Sequence, residues 1–179
     1  MHASTSEYSF YTDADHAGNR EPVNRTRSQL GEIALVNGTP FHWRSATESI
    51  ASISKLESET LPSISVGEAE TRAYANGVHS FIHLSYLASE MQLDPLPTPI
   101  IINTDSTVAI AFATNTQLKT RMKHLDVRQH WISMIRDLSI ARPIHCPSQN
   151  NIADLLTKIH PGPRFQQLVS KLMWTKTYY

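Results

Sequence analysis

The run Pro99-Ile100-Ile101-Ile102-Asn103-Thr104 strongly constrains the fold of this chain. Successive residues of a strand point to opposite faces of its sheet, so consecutive apolar residues predict a central strand that is buried on both faces. Such strands occur where helices cover both faces of a sheet that contains parallel strands. The run therefore predicts an α/β fold.

An antiparallel pair of strands is predicted before this central strand. Residues 8–12 alternate and are aromatic, which predicts a first strand that ends near Asp13 and Asp15. Residues 29–36 predict a second strand, which stops at the hairpin signal Asn37-Gly38 and returns through residues 41–43. Ile64 and Val66 are compatible with one more short strand.

The helices are predicted from apolar spacing and capping signals. Residues 65–68 fit a capping box, and the apolar spacing after them predicts a long helix over about residues 67–92. Further helices are predicted over 106–114, 121–139, 151–159 and 164–173, the last after a break at Pro161-Gly162-Pro163. Residues 140–146 predict a last strand, at a sheet edge because Pro143 has no N–H. This order predicts a mixed sheet, with an antiparallel meander first and parallel crossovers after it.

Composition excludes several classes of protein. The 179 residues suit one domain, and a single cysteine, Cys146, rules out an internal disulfide framework and a cysteine-rich zinc site. The nine histidines leave a histidine metal site open. No apolar run approaches the roughly 20 residues that span a bilayer, and residues 1–7 lack the apolar region of a signal peptide. We expect a reduced intracellular domain, or one piece of a longer protein.

Four acidic residues lie at the ends of predicted elements. Asp13, Asp105 and Asp154 each follow a strand, and Glu70 lies in the first turns of the long helix. Active sites of α/β proteins gather at such strand ends, and oxygen-only ligands select hard cations such as Mg²⁺. Two such ions support phosphodiester hydrolysis. From spacing alone, the alternative stays open that each acid is an ordinary turn or N-cap residue.

Several longer motifs occur in one order between residues 11 and 158. They are Tyr11-Thr12-Asp13-Ala14-Asp15-His16-Ala17-Gly18, Gly67-Glu68-Ala69-Glu70, Asn103-Thr104-Asp105-Ser106-Thr107-Val108-Ala109-Ile110, Lys123-His124-Leu125-Asp126-Val127-Arg128-Gln129-His130 and Gln149-Asn150-Asn151-Ile152-Ala153-Asp154-Leu155-Leu156-Thr157-Lys158. With these motifs the chain resembles the ribonuclease H domain of copia-type LTR retrotransposons.

This resemblance implies a fold, a catalytic set and a reaction. The implied fold is a five-stranded mixed sheet flanked by helices, and the implied catalytic and metal-binding residues are Asp13, Glu70, Asp105 and Asp154. The implied reaction is hydrolysis of the RNA strand of an RNA–DNA hybrid with two Mg²⁺ ions, for which Mn²⁺ can substitute. The implied partner is the reverse transcriptase domain of the same polyprotein, in a cytoplasmic virus-like particle or the nucleus. Neither a membrane nor a small-molecule cofactor is implied.

The chain departs from the family in two places. The segment between Trp43 and Glu70 is longer than expected, which leaves the choice between Glu68 and Glu70 open, although we prefer Glu70. We interpret residues 1–179 as one domain, with a core over about 8–159, an insertion over about 45–63 and a C-terminal extension over about 160–179. The loop 147–150 has no histidine where many ribonucleases H carry one, which makes the nearby His145 a possible auxiliary residue.

The charges are unevenly distributed although 16 basic and 16 acidic residues cancel. Neutrality excludes a uniformly basic coat protein, but basic residues outnumber acidic ones over 116–136 and after 155. A basic helix beside a carboxylate site suits a phosphate backbone, although lysines and arginines also serve simply to solvate a face. The candidate hybrid-binding residues are Asn103, Ser106, Thr107, Lys119, Arg121, Lys123, His124 and Arg128.

Three functions are compatible with these observations. The leading hypothesis is an active ribonuclease H. A catalytically inactive or domesticated module that binds hybrids with the same fold is the main alternative. A different nuclease or recombinase of that fold, which cuts DNA, is a further one.

Overall fold

The computed structural model describes residues 6–15, 28–47, 66–114 and 123–172, apart from the side chains of Val66 and of residues 123–129. The strands are β1 (Tyr8–Asp15), β2 (Gln29–Val36), β3 (Thr39–Thr47), β4 (Ile100–Thr104) and β5 (Ala141–His145). The α-helices are α1 (Val66–Glu90), α2 (Thr107–Thr114), α3 (Lys123–Asp137) and α4 (Gly162–Ser170). Two 3₁₀ helices, Ser148–Asn150 and Ile152–Leu156, lie between β5 and α4.

The five strands form one mixed sheet in the order β3-β2-β1-β4-β5. Strands β1, β2 and β3 pair antiparallel, whereas β4 pairs in parallel with β1 and with β5. This topology confirms the predicted α/β fold with an antiparallel meander and parallel crossovers. Strand β5 lies at the edge, as Pro143 predicts.

The main core lies between the sheet and helices α1, α2 and α3. It contains Phe10 of β1, Phe81 of α1, Ile102 of β4, Phe112 of α2 and Ile132 of α3. The rings of Phe10 and Phe81 lie with their centroids 4.6 Å apart. Burial of these large side chains supplies most of the driving force that holds the helices on the sheet.

The opposite face of the sheet has a smaller core. Ile33 and Leu35 of β2 pack against Ile152 and Ala153 of the second 3₁₀ helix and Leu168 of α4. The cover is thinner toward β4, where Ile101 and Asn103 are only partly buried. The prediction that both faces of β4 are buried therefore holds fully only for the face that bears Ile100 and Ile102.

A close approach between helix α1 and strand β1 occurs at Gly77. A Cβ atom placed on Gly77 would collide with Cγ2 of Thr12, so only glycine lets the helix lie at this distance from the strand. This approach fixes α1 on the strand that carries Asp13, and α1 in turn carries Glu70. Gly77 therefore helps to position two of the predicted site residues.

Several predicted boundaries need correction. Val66 is the first residue of α1, not part of a strand, and Ile64 lies outside the described residues. The predicted helix 151–159 is the shorter 3₁₀ helix Ile152–Leu156, whose N-terminus is capped by the side chain of Asn151. The motif Pro161-Gly162-Pro163 begins α4 instead of breaking the chain, because the first helical turn needs no N–H from proline.

The predicted insertion is only partly visible. Residues 45–47 belong to strand β3, and residues 48–63 lie outside the described part of the chain. Among the described residues, no helix is both long and apolar enough to cross a membrane.

Candidate active site

Three of the four predicted acids come together at one end of the sheet. Asp13 lies near the end of β1, Asp105 directly follows β4, and Glu70 lies in the second turn of α1. One carboxylate oxygen from each lies within 4.8 Å of the others. β1 and β4 are neighbouring parallel strands, so their carboxyl ends meet at the same edge of the sheet.

Asp13 is fully buried and is held by two neighbouring side chains. The Thr157 hydroxyl donates a hydrogen bond to Oδ2 of Asp13, and Nζ of Lys158 lies 3.3 Å from the same oxygen. Burial raises the pKa of Asp13 above its ordinary value, although Lys158 and Thr157 oppose this shift. The fold therefore retains a carboxylate where its negative charge is poorly solvated.

Glu70 has an unsatisfied oxygen. Its Oε2 atom is buried and has no hydrogen-bond partner among the described residues. Burial, reinforced by the negative charges of Asp13 and Asp105, raises the pKa of Glu70 to about 8. A buried carboxylate oxygen without a hydrogen-bond donor costs free energy, because its negative charge is neither solvated nor paired. A bound cation would pair with this oxygen.

The structure separates Glu70 from the alternative ligand, Glu68. The Glu68 carboxylate accepts a hydrogen bond from the Arg72 guanidinium at 2.7 Å, one turn further along α1. Two residues that are two positions apart cannot share one face of a helix. Glu70 therefore lies in the group with Asp13 and Asp105, whereas Glu68 is paired with Arg72.

Asp105 is oriented by Asn151, a residue that is itself completely buried. Asn151 Nδ2 donates to Asp105 Oδ1 at 3.2 Å and to the main-chain oxygen of Thr12 at 3.0 Å. Asn151 Oδ1 accepts from the Ala153 N–H at 3.2 Å, which caps the 3₁₀ helix. One amide therefore joins β1, the residue after β4 and the segment that carries Asp154.

The carboxylate of Asp154 is close to this group but is occupied by cationic side chains. Its Oδ1 lies 2.7 Å from Lys158 Nζ, and its Oδ2 accepts from Arg164 Nη2 at 3.1 Å. Burial alone would raise the pKa of Asp154, but the hydrogen bonds and charge of these partners outweigh it and lower the pKa. Burial alone would lower the pKa of Lys158. The negative charges of Asp13 and Asp154 outweigh this effect and raise the pKa, so Lys158 stays protonated.

The donor set fits a hard divalent cation. Asp13, Glu70 and Asp105 offer only carboxylate oxygens, the ligand type that Mg²⁺ and Mn²⁺ prefer. The unsatisfied Glu70 Oε2 supports the same assignment. These three residues could hold an ion directly, and Asp154 lies beside them through its shared partner Lys158.

The predicted hybrid-binding residues fall into two groups. Asn103 donates its side-chain amide to the main-chain oxygen of Phe10 at 3.0 Å, and the Ser106 hydroxyl accepts from the Ala109 N–H at 3.1 Å, which caps α2. Thr107 is exposed next to them. Lys119 and Arg121 lie outside the described residues, whereas Lys123, His124 and Arg128 belong to α3 without a described side chain.

The proposed auxiliary residue, His145, is exposed at the end of β5. It pairs in register with Thr104, the residue before Asp105, and it lines an open groove with Tyr11, Asn103 and Cys146. The position is near the site, but none of its described hydrogen bonds reaches a site carboxylate.

Four residues of this site have no individual role predicted from the sequence. Asn151, Thr157 and Lys158 occur in the motif that contains Asp154, so their positions were recognisable although their contacts were not. Arg164 comes ten residues after Asp154 and carries no sequence signal beyond its charge.

Comparison with known proteins agrees with the resemblance seen in the motifs, although no family model matches the chain. The chain is 28% identical over 156 residues to the Pol polyprotein of transposon TNT 1-94 from Nicotiana tabacum, which covers 87% of the chain. It is 28% identical to the Ty1-JR2 Gag-Pol polyprotein of Saccharomyces cerevisiae over 148 residues, and this aligned region covers 81% of the chain. It spans only a tenth or less of the length of these two relatives.

A solved structure shows the same fold. LC11-RNase H1, in complex with an RNA/DNA hybrid, superimposes with a TM-score of 0.55 at 15% identity over 84% of this chain and 94% of that one. The strand order and the placement of the helices on both faces agree with this similarity. The chain is therefore similar in sequence to Pol polyproteins of plant and yeast retrotransposons, and it has the fold of ribonuclease H.

Proposed function

We propose that the chain is a ribonuclease H, an endonuclease that hydrolyses the RNA strand of RNA–DNA hybrids. The observation that carries this proposal is the group formed by Asp13, Glu70 and Asp105, with oxygens within 4.8 Å of one another at the end of a ribonuclease H sheet. The unsatisfied Glu70 oxygen supports it, because it marks a place for a cation. The sequence relatives, which are polyproteins of retrotransposons, supply a context in which hybrids arise.

The residues of the site have distinct tasks in this reaction. Asp13, Glu70, Asp105 and Asp154 would hold two Mg²⁺ ions, with Mn²⁺ as a substitute. Bound in this way, the ions would activate a water molecule and stabilise the leaving oxygen of the phosphodiester. Thr157 and Asn151 keep the carboxylates of Asp13 and Asp105 in fixed orientations, so that these two carboxylates need little rearrangement when the site is loaded.

The hybrid would be recognised by shape and backbone charge. A hybrid is A-like and presents a wide, shallow minor groove lined with 2′-hydroxyls, which a protein can recognise without reading base sequence. Ser106 and Thr107 directly follow Asp105, and we propose that they contact sugar or phosphate groups there. We propose that Asn103, Lys119, Arg121, Lys123, His124 and Arg128 complete this surface, with His145 as an auxiliary residue.

We further propose a single domain that works within a polyprotein. The first part of the C-terminal extension belongs to the folded core, because Leu168 of α4 is completely buried against the sheet. The reverse transcriptase domain of the same polyprotein is the expected partner, and a cytoplasmic virus-like particle is the expected location. Both inferences are supported by the polyprotein relatives.

A cleavage assay tests the nuclease directly. A hybrid labelled on the RNA strand is incubated with the wild type and with Asp105→Asn, with and without Mg²⁺. The wild type should cut the RNA strand only with the metal, and the variant should lose more than about a hundredfold in rate, because even residues that only orient ligands contribute 10–100-fold. Asp94→Asn is the control, since Asp94 is exposed in the connection between α1 and β4.

The other outcomes favour the other hypotheses. Wild-type cleavage by Asp105→Asn would refute the assignment of Asp105. Hybrid binding without cleavage in Mg²⁺ or Mn²⁺ would support the inactive binding module. Cutting of duplex DNA or four-way junctions, with intact hybrids, would support a nuclease or recombinase of another specificity.

A further inference from the structure

Lys158 lies between two of the proposed metal ligands. Its Nζ atom is 2.7 Å from Asp154 Oδ1 and 3.3 Å from Asp13 Oδ2. Both carboxylates are buried, whereas the lysine side chain is 35% exposed. A positive charge thus already bridges Asp13 and Asp154, which is the place where a divalent ion shared by these two acids would bind.

Arg164, the other cation at Asp154, is held differently. Its guanidinium also donates to the main-chain oxygens of Ser148 and Gln149, both at 2.9 Å, so it is fixed independently of the carboxylate. The described hydrogen bonds of Lys158 Nζ go only to the two carboxylates. Lysine carries its charge on a flexible four-carbon stem. Lys158 can therefore leave the site toward solvent, whereas Arg164 is anchored.

The charge balance of the site depends on how many divalent ions are bound. Four carboxylates need four positive charges, which two divalent ions provide without help from a side chain. With a single divalent ion, Lys158 and Arg164 together supply the remaining two. A lysine between Asp13 and Asp154 therefore suits the metal-free and the singly loaded site, but it competes with a second ion for the same oxygens.

We propose that Lys158 is a displaceable counter-ion of the carboxylate site, and that a divalent ion binds between Asp13 and Asp154 only after the lysine has moved out. At the position formed by Asp13, Glu70 and Asp105, the ion pairs of Lys158 involve only one of the three ligands, Asp13, among the described residues. The two ions therefore bind with different affinities, and Lys158 weakens the second. This inference rests on the metal-dependent function proposed above.

Calorimetric titration of the full chain with Mn²⁺ tests the competition. Lys158→Gln removes the charge at similar length, and Lys171→Gln is the control, because Lys171 contacts Gln149 O and Asn150 Oδ1 but no carboxylate of the site. If the lysine occupies the position at least nine-tenths of the time, Lys158→Gln should tighten the weaker Mn²⁺ event about tenfold or more. The control should match the wild type. Unchanged affinities, or loss of the weaker event, would overturn the proposal.

A second measurement uses the wild type alone, so that it does not depend on the folding of a variant. Acetylation of Lys158 by acetic anhydride, followed by mass spectrometry, should be slow in the metal-free chain and several-fold faster in saturating Mn²⁺, while Lys171 stays unchanged. An unchanged rate at Lys158 would overturn the proposal.

The two proposals fail separately. A chain that shows these Mn²⁺ effects but cuts no hybrid would refute the nuclease and retain the counter-ion. Hybrid cleavage, with Mn²⁺ binding unaltered by Lys158→Gln, would support the nuclease and refute the role of Lys158 as a counter-ion.

Discussion

The side-chain amide of Asn151 donates a hydrogen bond to Asp105, with Nδ2 3.2 Å from Oδ1. The same amide donates to the main-chain oxygen of Thr12, next to Asp13, and its oxygen caps the 3₁₀ helix that carries Asp154. One completely buried side chain thus connects the segments of three proposed ligands. The relative positions of those ligands depend on a residue that need not touch metal or substrate.

Replacement of Asn151 should affect both stability and metal binding. Asn151→Ala removes three hydrogen bonds and leaves the Thr12 oxygen without its donor, so we expect a loss of roughly 1–3 kcal/mol in the free energy of unfolding. Urea denaturation measures this loss, and calorimetry should show weaker Mn²⁺ binding in the folded variant. Asn150→Ala is the control, since Asn150 is exposed and its side chain contacts only Lys171 among the described hydrogen bonds. Equal stabilities of the two variants would contradict the bridging role.

The pair Glu70→Gln and Glu68→Gln distinguishes the two candidate ligands. Glu70→Gln removes a carboxylate from the group with Asp13 and Asp105, so hybrid cleavage should fall by more than about a hundredfold. Glu68→Gln weakens the 2.7 Å contact with Arg72, so it should reduce stability but leave the cleavage rate of the folded protein within a few-fold of wild type. Rates are compared at a temperature where circular dichroism shows both variants folded. The reverse pattern would assign the ligand to Glu68.

The sequence predicted the fold because its signals are local and strong. The apolar run at Ile100–Ile102 and the hairpin signal at Asn37-Gly38 both lie within the elements that they specify. Asp13 and Asp105 were predictable as neighbours, because both lie at the carboxyl ends of strands. The contact of Asn151 with Asp105 joins residues 46 positions apart, and the preference of Asp154 for Lys158 and Arg164 depends on side-chain packing. The contact between Asn151 and Asp105 leaves no periodic signal in the sequence, and the i,i+4 spacing of Asp154 and Lys158 does not reveal that Lys158 also reaches Asp13.

The stability of the metal-free chain should depend on pH through Glu70. Burial beside Asp13 and Asp105 raises the pKa of Glu70 from 4.5 to about 8, so the folded state holds this proton more tightly than the unfolded state. The contribution of this proton to the free energy of unfolding is complete below pH 4.5, and it is lost as the pH rises through about 8. The loss reaches at most about 1.4 kcal/mol per pH unit for one proton.

Urea unfolding of the metal-free protein at several values between pH 5 and pH 8 measures this effect. The wild type should lose stability relative to Glu70→Gln across this interval, because glutamine cannot titrate. The raised pKa of Asp13 acts in the same direction in both proteins, so the difference between them reports Glu70 together with its electrostatic effect on Asp13. Parallel pH profiles would show that Glu70 is ionised in the folded chain at neutral pH.

Gly77→Ala tests how tightly helix α1 must lie on strand β1. Alanine normally favours a helix by about 1 kcal/mol over glycine, but here its Cβ would collide with Cγ2 of Thr12. Overpacking of this kind typically costs 1–3 kcal/mol, so we expect a net loss of roughly 1 kcal/mol and a Tm about 2–4 °C lower. Gly162→Ala is the matched control, because Gly162 also lies in a helix and a Cβ there meets no atom within 4 Å. The control should equal or exceed the wild-type Tm, whereas a Gly77→Ala variant as stable as wild type would show that α1 can shift away from β1 without loss. In the expected case, the displaced helix α1 would carry Glu70 with it, so weaker Mn²⁺ binding should accompany the lower Tm.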